Sequence, residues 1–300
     1  MSAVRPVSIA LRKMAAGIAY LVCFVAAYGL VVRDTPPSPG VEPISPGLAI
    51  LLVSGLNTVV MSWLILRSRL LGWSLAAAMV LLLFGVQTFM PQVESLIFQA
   101  NPGYASHLPA AVIPRLFLAG LLHAILWIPL AIRILGRWRP GSSSPDPGRP
   151  PALPAGWTWK LPLAALVYVA VYFTFGYYVA WRSPAITAYY RGTDPGSFWA
   201  QIGNVLRDTP WLPAAQALRG LLWTALALVV LRITRASRLE KALATGALFA
   251  MVMNSGLLLP NPYMPFEVRM VHLVETASSN FLFGALLVWL LGHRDATPGC

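Results

Sequence analysis

The sequence predicts an all-α, polytopic integral membrane helix bundle with about eight transmembrane helices. Three observations lead there. Hydrophobic residues make up 57% of the 300 residues and charged residues 11%, and the mean hydropathy is +0.67, outside the range of soluble globular chains. Eight apolar stretches each approach the ~20 residues that ~30 Å of hydrocarbon demands. Lys and Arg concentrate in alternate loops, so the net charge of +12 reads as insertion topology and not as nucleic-acid binding.

In chain order, the predicted spans run over residues 13–33, 47–66, 72–90, 111–136, 160–181, 214–233, 241–259 and 268–292. Arg5, Arg12 and Lys13 precede the first. It is too long for a signal-peptide core and no small-x-small cleavage site follows Val32, so it reads as an uncleaved span. The turn at Arg67 and Arg69 separates the second from the third. The fourth ends in Arg133, Arg137 and Arg139, and a stretch rich in Pro, Gly and Ser leads on to Lys160. That stretch, 137–157, is expected to be a flexible linker between membrane halves 1–136 and 158–300.

After the fifth span, Tyr177, Tyr178, Trp181, Tyr189 and Tyr190 suit the headgroup layer. Asp194-Pro195 then reads as a helix start. Phe198, Trp199, Ile202, Val205 and Leu206 share one face of that helix, which is expected to lie on the bilayer or to pack over the bundle. Arg232, Arg235, Arg238 and Lys241 join the sixth and seventh spans. Asn254-Ser255-Gly256 and Pro260 close the seventh, either as a helix stop or by opening carbonyls to a cavity.

The basic loops fall on one side and most acids, among them Asp34, Glu42, Glu94, Asp194, Asp208 and Glu267, on the other. The expectation is a bacterial inner membrane protein with both termini cytoplasmic. Ser68 to Gln92 aligns without a gap on Ser237 to Asn261. Either the halves form a parallel four-plus-four repeat, or apolar helices resemble one another by composition. The loops are too short for a separate core. Cys23 and Cys300 are the only cysteines, which excludes a disulfide framework and a Cys-based zinc site.

The strongest functional signal opens the eighth span. Arg269, His272, Glu275, Thr276, Ser279 and Asn280 lie within about 140° of one another on that helix. Ionisable groups inside a span are expensive in hydrocarbon, and they mark a cavity, an ion path or a reacting centre, unless they form a polar seam between helices. Glu94 comes seven residues after Gln87 and shares its face if the helix survives Pro91. Arg115 stands near the outer end of the fourth span, His123 about 12 Å deeper, and Arg219 near the outer end of the sixth.

These groups predict an outward-facing cavity for an anionic, lipid-like or lipid-linked molecule. Arg115, Arg219, Arg269, Gln87 and Asn280 are expected to bind it. His272, Glu275 and Glu94 are expected to supply acid–base chemistry for hydrolysis or group transfer. Membrane lipid is the expected partner, nucleic acid is not, and no cofactor is assigned.

No resident metal is expected. If one is held, its ligands are His123, His272 and Glu275, although Arg269 would repel it and no His-Glu-x-x-His run is present. Ser278 and Ser279 lie about 9 to 10 Å along the helix from His272, too far for a nucleophile, and no Gly-x-Ser-x-Gly elbow exists. A proton-coupled transporter or receptor for an anion and a non-catalytic scaffold subunit are the alternative readings.

Overall fold

The computed structural model describes residues 6–33, 36, 38, 40–139, 156–194 and 196–292. Most of the expected linker, Arg5, Asp34 and the basic pair His293 and Arg294 lie outside the described residues. Among the described residues eight helices are long and apolar enough to cross a membrane: Ser8–Val31, Pro46–Arg67, Gly72–Phe98, Val112–Ile134, Lys160–Ala180, Leu212–Ile233, Arg238–Leu258 and Phe266–Leu291. They are numbered as spans one to eight. Three short helices, Pro102–His107, Pro184–Tyr189 and Phe198–Asp208, lie between them. The described residues contain no strand, so the protein is an all-α polytopic bundle.

Local chemistry sets several ends. Ser45 caps span two by accepting from Leu48 N, with Pro46 in the first turn, where its missing N–H costs nothing. Span seven opens on a capping box in which the Ser237 hydroxyl and the Glu240 carboxylate satisfy each other's backbone N–H. The amphipathic helix starts at Ser197, whose hydroxyl accepts from Ala200 N, and not at Asp194. Asp194 instead accepts from Gly196 N in a local turn, and Gly196 takes a left-handed φ of 70°. That conformation interrupts the helix before it can begin.

Span three continues through Pro91, and a wide π turn makes this feasible. Gly85–Phe89 is π-helical, with Met90 N donating to Gly85 O. The extra residue per turn opens room for the proline ring next along the chain. It also rotates the remainder of the helix, so Gln87 and Glu94 do not share a face. Gln87 donates to the Tyr20 hydroxyl at 2.6 Å, whereas Glu94 turns to span six.

Span one packs on span four, span five on span six, seven on eight, and two on seven. Both sequence halves therefore contribute to one core, and within each half the spans pair in the same pattern, one with two and four and three with four, five with six and eight and seven with eight, which by itself does not establish a repeat. The main cluster gathers Tyr20, Met61, Leu64, Trp127, Trp223 and Phe283. Outward, Leu11, Met14, Ile18, Val22 and Val25 of span one stay exposed, as a lipid-facing stripe should.

The basic loops meet at one end. Ser68 and Thr234 form an antiparallel bridge, and Arg137 Nη2 donates to Ser68 O at 2.6 Å. At the opposite end Tyr104, Leu108, Ile113, Ile186, Tyr189 and Tyr190 form a second cluster.

Candidate functional site

Beneath that second cluster lies a cavity of about 520 Å³, whose charged lining residues are Glu94, Arg219, His272 and Glu275. The volume falls within the range of small-molecule sites. Span three brings Glu94, span six Arg219, and span eight His272 and Glu275. Span five contributes Tyr168, Tyr172 and Gly176, and the amphipathic helix contributes Gln201 and Val205 to the rim.

Arg219 and Glu94 form a two-pronged pair, with Nη1 to Oε1 at 3.0 Å and Nη2 to Oε2 at 2.9 Å. Nη1 also donates to Gln216 Oε1 at 2.8 Å. The Arg219 side chain is 2% exposed and that of Glu94 22%, so the acid lies on the cavity side of the pair. Bidentate geometry of this kind uses both outer nitrogens of the guanidinium at once.

His272 stands in a hydrogen-bonded chain. Its Nδ1 meets Glu275 Oε2 at 2.9 Å and its Nε2 meets the Tyr190 hydroxyl at 3.2 Å. Tyr190 lies outside the spans. Burial, reinforced by Tyr104, Tyr189, Glu94 and Glu275, holds its hydroxyl well above the ordinary tyrosine range. It therefore keeps its proton, and the hydroxyl either donates to Nε2 of a neutral imidazole or accepts from Nε2–H of an imidazolium. A carboxylate has only acceptors, so Nδ1–H donates to Glu275 in either form of the ring.

Tyr190 is held by rings. It stacks parallel to Tyr104 at 6.0 Å between centroids and touches Phe98, Trp181 and Tyr189. Tyr104 is itself buried, and its hydroxyl is pushed up to about 12 by burial. Gly103 lets the helix Pro102–His107 approach this cluster, since a Cβ there would stand 2.6 Å from the Tyr190 carbonyl oxygen. Gly103→Val is expected to lower stability by about 1–3 kcal/mol through that overlap, read as the unfolding midpoint in detergent.

Of the remaining polar lining residues, Gln92 and Gln201 each have a buried Oε1 that meets no donor among the described residues, while others are satisfied within the protein. The Thr276 hydroxyl donates to Asn254 Oδ1, and the Asn280 amide contacts Met253 Sδ at 2.9 Å. Asn254 reaches the cavity by its side chain, while the 3-10 turn Ser255–Leu258 ends span seven. Ser255 faces away, to Asn57.

Of the residues expected at the site, the structure brings together Glu94, Arg219, His272, Glu275 and Asn280. It does not bring the other four to the cavity. Arg115 is exposed on span four. Arg269 is 0% exposed and paired with Glu42 at 3.0 and 2.5 Å, because the loop before span two folds over the start of span eight. Gln87 belongs to the Tyr20 network on the far side of span three. His123 is 1% exposed among Tyr20, Phe24 and Trp127.

The expected three-arginine clamp is thus not assembled, and His123 does not join His272 and Glu275. Among the described residues no group of three His, Cys, Asp or Glu stands close enough to hold a metal ion. Sequence reasoning misses Tyr190 as a partner of His272 and Glu42 as a partner of Arg269. The aromatic run around Tyr190 signals only the headgroup layer, and a loop acid gives no sign of the helix it will meet.

The fold and this cavity define a class: a multi-pass α-helical membrane protein with a polar, aromatic-walled chamber near one end. No known protein family, curated protein or solved structure matches the chain, so its chemistry rests on its own residues.

Proposed function

We propose that the cavity binds an amphipathic, lipid-like or lipid-linked molecule, and that Tyr190, His272 and Glu275 move a proton to or from its polar head during hydrolysis or group transfer. The observation that carries this reading is the hydrogen-bonded Tyr190–His272–Glu275 chain on the wall of a 520 Å³ cavity. The Glu275 carboxylate on Nδ1 orients the imidazole, so that Nε2 and the Tyr190 hydroxyl share a proton position on the cavity wall.

The amphipathic helix supports a lipid-like ligand. Gln201 and Val205 line the cavity, while Trp199 is 77% and Leu206 56% exposed on the same helix. One face therefore borders the chamber and the other suits the bilayer interface, the path an amphipathic molecule would take. In this proposal the membrane is a bacterial inner membrane, and the distribution of Lys and Arg then puts both termini in the cytoplasm and the cavity on the periplasmic side. The anionic head expected from the sequence needs an available guanidinium. Arg219 is the cavity's only arginine among the described residues and is bound by Glu94, so the anion is the less favoured part of that expectation.

Native mass spectrometry of the purified protein tests the proposal. Wild type is expected to retain one stoichiometric organic adduct. Gly176→Leu is expected to lose it, because a Cβ at Gly176 meets only Glu275 Oε1, at 3.7 Å, leaving the longer side chain to fill the chamber. His272→Asn is expected to retain an adduct of a different mass, the unconverted molecule. Identical adducts in wild type and His272→Asn would refute proton-transfer chemistry, and an adduct surviving Gly176→Leu would refute the cavity as its place.

A further inference from the structure

The carboxylates facing the chamber outnumber its guanidinium. Glu94 and Glu275 are opposed by the Arg219 guanidinium, and the His272 imidazole stands beside Glu275. Among the described residues the lining therefore holds one carboxylate in excess of guanidinium. Within the low-polarity end of a helix bundle, such an excess favours a positive group in the chamber.

The excess has a location. Both oxygens of Glu94 are taken by Arg219, whereas only Oε2 of Glu275 is taken, by His272. Oε1 of Glu275 receives no hydrogen bond from the described residues. Glu275 is 8% exposed, and its Oε1 lies beside Gly176, where the absence of a side chain leaves the space in front of it open. Oε1 is thus an acceptor open to the chamber, where a ligand can supply the donor.

The surroundings suit the same partner. Tyr172 lines the chamber within electrostatic reach of Glu94, Arg219 and Glu275, and its hydroxyl makes no hydrogen bond to the described residues. Tyr168, Phe173 and Trp181 add ring surface, which attracts cations over ring faces and covers apolar chains.

Resting on the lipid-like ligand proposed above, we infer that its head is an ammonium bearing N–H groups, and that one N–H donates to Glu275 Oε1. A quaternary ammonium would satisfy the charge but not the vacant acceptor. A hydroxyl would satisfy the acceptor but not the charge.

Four probes of equal chain length separate these cases: dodecylamine, dodecyltrimethylammonium, dodecanol and laurate. Each is titrated into the protein in lipid nanodiscs at neutral pH, and tryptophan fluorescence and the thermal unfolding midpoint are read. Dodecylamine is expected to bind tightest, by roughly tenfold over each of the others. Glu275→Gln is expected to lower its affinity by about tenfold and to change that of dodecanol less than about twofold.

The order of the four probes on wild type stands without any variant. Dodecanol, laurate or the quaternary probe binding as tightly as the amine would overturn the ammonium while leaving the lipid-like ligand intact. If no probe binds, or if all bind Gly176→Leu as they bind wild type, the cavity reading itself fails. Unchanged dodecylamine affinity in a folded Glu275→Gln would overturn the assignment of Oε1.

Discussion

Glu94→Gln is expected to invert the preference of the cavity from cation to anion. The wild-type guanidinium of Arg219 is matched by a two-pronged carboxylate. An amide of the same shape offers one acceptor and no charge. Arg219 is 1% exposed, so the variant leaves a buried cation without its counterion, a change that costs about 3–5 kcal/mol. An added anion can then take the place of the lost carboxylate. Laurate should raise the unfolding midpoint of Glu94→Gln and leave wild type unmoved, because binding to the folded state alone stabilises it. Equal stabilisation of both proteins would mean that Arg219 is already available in wild type, and the anionic head expected from the sequence would regain its footing.

Glu42→Ala should destabilise the protein by a similar amount, about 3–5 kcal/mol, although Glu42 lies in a loop. Its carboxylate is the anion facing Arg269, which is 0% exposed. The double variant Glu42→Ala/Arg269→Met is expected to recover most of the loss, since it removes the stranded charge together with its partner. Its cavity adduct should match that of wild type. Loss of the adduct in a stable double variant would return Arg269 to the ligand site. A double variant no more stable than Glu42→Ala would show that Arg269 does not depend on this pair.

The fate of the arginines shows where sequence reasoning stops. Arg115, Arg219 and Arg269 look alike from hydropathy: each is a cation near the outer end of an apolar stretch. Their roles diverge through acids far away in the chain. Glu94 is 125 residues from Arg219, and Glu42 is 227 residues from Arg269. The face of His272, Glu275 and Asn280 is legible because positions on one helix obey a fixed angle. Tyr190 is not legible as their partner, since a loop and a short helix set its place. Gln87 illustrates a subtler limit: its spacing to Glu94 is right for one face of a regular helix, and the π turn at Gly85–Phe89 cancels it.

Taken alone, the sequence determined the eight spans, their alternation and the polar face of the last. These are local properties. Helices in hydrocarbon must satisfy their backbone hydrogen bonds within themselves, so length and hydropathy suffice to mark them. The tertiary structure decided which charges are neutralised and which oxygen is left open. Apolar helix surfaces specify weakly which neighbour they meet, and one extra residue in a turn redirects every side chain beyond it.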